Sequence, residues 1–98
     1  ATPAKMLVKV HQSETNVLTL QLINLQQINT TITLHDMEGA SYFRQKVSNH
    51  NGYLLKLRLS EVPAGRYIMR VRQAGGQEIS QIIYKSEDQL LLSQLTRM

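Results

Sequence analysis

The sequence alternates apolar and polar residues along most of its length, and this alternation is its strongest constraint on the fold. The clearest case is YLLKLRL, residues 53–59, in which every second residue is Tyr or Leu and Lys56 and Arg58 lie between them. Similar stretches occupy residues 6–11, 17–22, 31–35, 42–47, 66–72 and 78–85. A side-chain period of two is that of a strand with one face on a core and the other toward water.

Turn-forming residues separate these stretches at short intervals. They occupy residues 12–15, 24–29, 36–39, 49–52, 63–65 and 74–77. Such connections are too short for the helical crossovers that a parallel sheet needs. We therefore predict an all-β fold, an immunoglobulin-like antiparallel β-sandwich of about seven strands.

The size of the chain fits one domain, a sandwich over residues 1–85 and a tail over residues 86–98. With 98 residues and no cysteine, it has neither disulfides nor thiolate ligands. No apolar run is long enough to span a membrane, so we expect no stable membrane insertion. The chain begins with Ala1, which suggests either a processed protein or a cloning boundary.

The tail changes pattern. Residues 86–89, SEDQ, resemble a helix capping box, and Leu91, Leu95 and Met98 then follow at helical spacing. This favours a short C-terminal helix, with an extended or frayed tail as the alternative. The tail leucines would pack on the sandwich or, alternatively, dimerise the domain; the oligomeric state stays open.

The stretch LSEVPAGRYIMRV, residues 59–71, predicts a structural corner between the fifth and sixth strands. Pro63 restricts φ in the connection, and Gly65 permits a conformation that other residues rarely adopt. Tyr67 follows on the same face as the next apolar residues. Its ring can join the core while its hydroxyl reaches the main chain near residues 61–63, as in the tyrosine corner of immunoglobulin-like sandwiches.

A second local signal lies between the third and fourth strands. Asp36 can accept hydrogen bonds from the amides of the turn that follows it, and Gly39 can take the left-handed position of a bulged hairpin. We predict that Asp36 and Gly39 form a structural turn.

The same two stretches carry a family resemblance. ITLHDMEG at residues 32–39 is similar to a strand that ends in Asp-x-x-Gly, and LSEVPAGRYIMRV at residues 59–71 is similar to Leu-x-x-Leu-x-Ala-Gly-x-Tyr. QIIYK at residues 81–85 looks like a closing strand. Over roughly residues 5–85 the chain resembles the C-terminal sorting domains of type IX secretion cargo in Bacteroidetes, and related small secreted immunoglobulin-like domains.

The sequence contains none of the common catalytic or phosphate-binding motifs. No hydrolase, metalloprotease or phosphate-loop motif occurs, so we predict no catalytic residue, no cofactor and no enzyme activity. His35, Asp36 and Glu38 are close enough in sequence to suggest a small metal site. Neighbours on a strand point to opposite faces, however, so we predict no metal and a solvated turn instead.

The formal charge of +4 is divided between two surfaces. Lys56 and Arg58 face outward from the fifth strand, and Arg70 and Arg72 from the sixth. Those strands belong to opposite sheets of an immunoglobulin-like sandwich. Binding to the phosphate backbone of a nucleic acid needs several cations in a row on one surface. We therefore predict no nucleic-acid partner.

The resemblance implies a non-enzymatic module of an exported bacterial protein, located outside the inner membrane as a secreted, periplasmic or cell-surface product. It implies a protein partner, either secretion machinery or a surface component. The alternative is a free-standing small secreted or surface domain that binds a protein or a glycan. A third hypothesis is an enzyme or metal protein built around His35, Asp36 and Glu38.

Overall fold

The computed structural model describes residues 5–87 and 89–97, and the regular structure in these residues is β-strand. The strands begin and end close to the limits of the alternating stretches, because each stretch buries one face. They are β1 (Leu7–Glu14), β2 (Val17–Ile23), β3 (Thr30–Asp36), β4 (Ser41–Val47), β5 (Tyr53–Arg58), β6 (Gly65–Gln73), β7 (Glu78–Lys85), β8 (Leu90–Leu92) and β9 (Thr96–Arg97).

The strands form two antiparallel sheets. One sheet has the order β1-β2-β5, and the other has the order β4-β3-β6-β7-β8, with β9 also pairing with β7. The chain therefore changes sheet between β2 and β3, between β4 and β5, and between β5 and β6. This is the arrangement of an immunoglobulin-like sandwich of seven main strands, and it confirms the predicted fold class.

The core lies between the two sheets and is filled by the inward-facing residues of the alternating stretches. Leu25 also belongs to it, although it lies in a segment predicted to be a turn; its amide donates to the Asn51 carbonyl at 2.8 Å. The buried apolar side chains are Met6, Val8, Leu18, Leu20, Leu22, Leu25, Ile32, Leu34, Val47, Leu57, Leu59, Tyr67, Met69, Val71, Ile79, Ile83 and Leu90.

The predicted C-terminal helix is wrong. After a turn in which the Ser86 amide donates to the Gln89 carbonyl at 3.0 Å, the tail forms β8 and β9 along the edge of β7. Leu90 is buried and Leu91 exposed, which is a period of two. So short a helix is marginal alone, whereas the open edge of β7 offers unpaired backbone groups. Asp88 and Met98, which also supported the helix, lie outside the described residues.

Candidate functional site

The corner between β5 and β6 is held by a hydrogen bond from a buried tyrosine. The Tyr67 hydroxyl donates to the Pro63 carbonyl oxygen at 2.5 Å, and the Tyr67 ring lies in the core. The Val62 amide donates to the Leu59 carbonyl at 3.1 Å and closes the preceding turn. Gly65 has a φ of +155° at the start of β6, a backbone conformation that side chains rarely adopt.

Burial also affects the ionisation of this tyrosine. Removal of the hydroxyl from water raises the pKa of Tyr67 above its ordinary value of 10.0, and the nearby Tyr42 and Asp36 add to the increase. The hydroxyl therefore stays protonated and remains a donor to Pro63 through the physiological pH range.

The turn between β3 and β4 is organised by one carboxylate. Asp36 Oδ1 accepts hydrogen bonds from the amides of Glu38 and Ala40, each at 2.9 Å. Gly39 has a φ of +93°, in the left-handed region that favours glycine. The register of β3 against β4 shifts between Leu34 and His35, which is a bulge next to the turn.

The structure brings the corner and the turn together at one end of the sandwich. Asp36 lies opposite Tyr67 in the pairing of β3 with β6. The ring of Tyr42, displaced by the bulge, meets the ring of Tyr67 edge to face at a centroid distance of 5.3 Å. Sequence reasoning treated the two as separate features, because nothing local indicates that β3 and β6 are neighbours.

A shallow open depression of about 310 Å³ lies at this end, which we call the corner end. Met37 and Tyr42 are 52% and 43% exposed there, so this depression presents two large apolar side chains to solvent. The lining residues are Asp36, Met37, Glu38, Tyr42, Pro63, Ala64, Gly65, Arg66 and Tyr67. Exposed apolar side chains on a backbone held by the Asp36 and Tyr67 hydrogen bonds are suited to contact with a protein.

The residues proposed for a metal site are not arranged as ligands. Asp36 Oδ1 is engaged by two backbone amides, and His35 lines a different depression from Glu38. Within residues 5–87 and 89–97, no group of three or more His, Asp or Glu side chains could hold a metal ion.

Basic residues gather on the outer face of the larger sheet. The strand order confirms that Lys56 and Arg58 lie on the other sheet from Arg70 and Arg72. Sequence reasoning missed that β4 brings two further cations, Arg44 and Lys46, to the face that carries Arg70 and Arg72. Arg44 and Lys46 are two residues apart on one strand, and this spacing in the sequence indicates that their side chains share a face.

The fold and these surfaces define an all-β sandwich module. In the part of the chain that the structure describes, there is no helix long and apolar enough to cross a membrane. The family model described as a secretion system C-terminal sorting domain matches residues 3–85. The chain belongs to this family of type IX secretion sorting domains, as the resemblance in its sequence implied, and such domains mark exported proteins. No curated protein and no solved structure matches the chain significantly.

Proposed function

We propose that this chain is a non-enzymatic sorting module, which a protein of the type IX secretion machinery recognises in order to export the polypeptide that carries it. The observation that carries the proposal is the family match over residues 3–85, which spans strands β1 to β7. The extent of the match supports recognition of the folded sandwich.

The corner end is the surface that we assign to this partner. It combines exposed Met37 and Tyr42 with a backbone held by the Asp36 turn and the Tyr67 hydrogen bond. A surface whose shape is set before binding loses little conformational entropy when the partner docks. Apolar and aromatic side chains are also the usual anchors of protein interfaces.

The test is a fusion of a signal peptide, a fluorescent reporter and this chain, expressed in a bacterium that has a type IX secretion system. We expect the reporter outside the outer membrane, and we expect it to stay in the periplasm when the chain is omitted or the secretion system is inactivated. Export without the chain would contradict the sorting role. Retention of the complete fusion, with the domain folded, would favour the free-standing secreted or surface domain.

Two matched substitutions test the corner end. Met37→Asp places a charge on the proposed contact surface, whereas Leu54→Asp places the same charge on the outer face of the other sheet, at a residue that is 62% exposed. We expect export to fall with Met37→Asp and to persist with Leu54→Asp, with both variants folded. Equal export of the two variants would remove the corner end from the proposal and leave the sorting role itself standing.

A further inference from the structure

The outer face of the larger sheet carries a depression with cations on both sides. Thr33 of β3 lies opposite Arg44 of β4 on one side and opposite Arg70 of β6 on the other. The next row repeats the arrangement, with Thr31 between Lys46 and Arg72. Neighbouring strands are about 4.8 Å apart, so the backbone positions of the two cations in each row are about 9 to 10 Å apart, with a short threonine between them. We call this depression the arginine groove.

The residues that line the groove include no carboxylate. Its lining consists of Thr31, Thr33, His35, Gly39, Ser41, Arg44, Arg70 and Arg72. Among the described residues the one ion pair joins Arg72 Nε to Glu78 Oε1 at 2.9 Å. Arg44, Lys46 and Arg70 therefore have no carboxylate partner there, and their charges reinforce one another.

Arg70 gives the most specific indication of a ligand. Its side chain is half-buried, and its Nε atom is removed from water without a hydrogen-bond partner in the described part of the chain. A buried donor with no partner costs free energy, more so on a charged group. An oxyanion in the groove would accept a hydrogen bond from that donor. The planar guanidinium is also suited to bidentate hydrogen bonding with a carboxylate or sulfate group.

We propose that the arginine groove binds an anionic saccharide, a sugar chain that carries carboxylate or sulfate groups. Its volume of about 450 Å³ exceeds what a single oxyanion requires and lies in the range of small-ligand sites. The hydroxyls of Thr31, Thr33 and Ser41 can both donate and accept, so they complement sugar hydroxyls, while the arginines complement the acidic groups. This inference does not depend on the sorting role.

Other polyanions fit the groove less well. β3 is paired on both sides, with β4 and with β6, so its backbone groups are already engaged. An acidic peptide lying over β3 would find side chains but no main-chain partners, unlike a peptide added to a sheet edge. The lining residues include no Phe, Tyr or Trp ring on which a nucleic-acid base could stack, and His35 contributes the one imidazole.

The test uses the whole chain and defined probes. Trigalacturonate supplies carboxylates and a heparin hexasaccharide supplies sulfates; maltotriose is the neutral saccharide, and oligoglutamate and oligothymidylate are the other polyanions. Amide chemical shifts are followed by NMR at about 0.15 M salt, where long-range charge effects are screened. We expect saturable shifts at residues 31–35 and 70–72 with one or both acidic saccharides and none with maltotriose.

A pair of double variants provides the matched control. Arg44→Gln with Arg70→Gln removes two charges from the groove, and Lys56→Gln with Arg58→Gln removes two charges from the opposite sheet. We expect the first pair to weaken acidic-saccharide binding about tenfold or more, equivalent to about 1.4 kcal/mol, and the second to leave it unchanged. Equal weakening by both pairs, or tighter binding of oligoglutamate or oligothymidylate, would overturn the assignment. So would the absence of saturable saccharide binding.

Discussion

The Arg97 guanidinium donates a hydrogen bond from Nη2 to the carbonyl oxygen of Met6 at 2.5 Å. Its Nη1 also donates to Gln77 Oε1 at 3.3 Å, and the same Gln77 oxygen accepts the Met6 amide at 3.1 Å. Three distant segments meet here: the residue before β1, the hairpin between β6 and β7, and the last described strand. The short strand β9 is thus held by a side chain as well as by its pairing with β7.

Arg97→Ala should lower the free energy of unfolding by about 1 to 2 kcal/mol, because hydrogen bonds from a charged donor are lost and the Met6 carbonyl loses its partner. Urea denaturation measures the change. Arg58→Ala, at an exposed position on β5, is the control and should change stability little. If both variants unfold at the same urea concentration, the contact contributes nothing to stability.

Tyr67→Phe should cost about 1 kcal/mol or more, because the Pro63 carbonyl then loses its donor while the ring still fills the core. The comparison is Tyr84→Phe, which removes a hydroxyl from a side chain that is 40% exposed. Thermal unfolding of the two variants distinguishes the hydrogen bond from a general effect of the hydroxyl. An unchanged melting temperature for Tyr67→Phe would contradict the structural role predicted for the corner.

The raised pKa of Tyr67 predicts how stability changes in alkaline solution. Well below pH 10 the hydroxyl is protonated in both the folded and the unfolded chain, so Tyr67 causes no pH dependence there. As the pH approaches and passes 10, Tyr67 ionises first in the unfolded chain. The free energy of unfolding therefore falls until the pH exceeds the pKa of Tyr67 in the folded chain. Urea denaturation at about pH 8 and about pH 11 should show a larger loss for the wild type than for Tyr67→Phe. Equal losses would mean that another group causes them.

Leucine substitutions distinguish a strand from a helix in the tail. Leu90→Ala should cost about 2 to 3 kcal/mol, because the side chain is buried against the sandwich. Leu91→Ala should change stability by less than about 0.5 kcal/mol, because the side chain is 57% exposed. A helix with Leu91 and Leu95 on its packed face predicts a substantial cost for Leu91→Ala. Chemical denaturation of the two variants decides between these patterns.

Much of the fold was predictable because the alternation is a local property. Residues 53–59 required a strand with Leu55 and Leu57 facing inward, and β5 has those faces. The corner was also readable, since Pro63, Gly65 and Tyr67 lie within five residues. The tail was misread because its leucines also fit helical spacing, and the competing partner, the edge of β7, is not local.

The candidate surfaces were less predictable for the same reason. The corner end requires β3 to lie beside β6, and the arginine groove requires β4, β3 and β6 to lie in that order. Neither order can be read from residues that are neighbours in the chain.

The sequence was enough to predict the seven strands β1 to β7, the alternation of their buried and exposed faces, and the chemistry of the turns. These follow from the side-chain period of two and from the backbone preferences of Pro, Gly and Asp. The three-dimensional fold was needed to learn which strands are neighbours, where the tail lies, and that Arg44 and Arg70 share one face. Backbone hydrogen bonds can be satisfied by any strand within reach, so the choice of partner depends on the packing of the whole core.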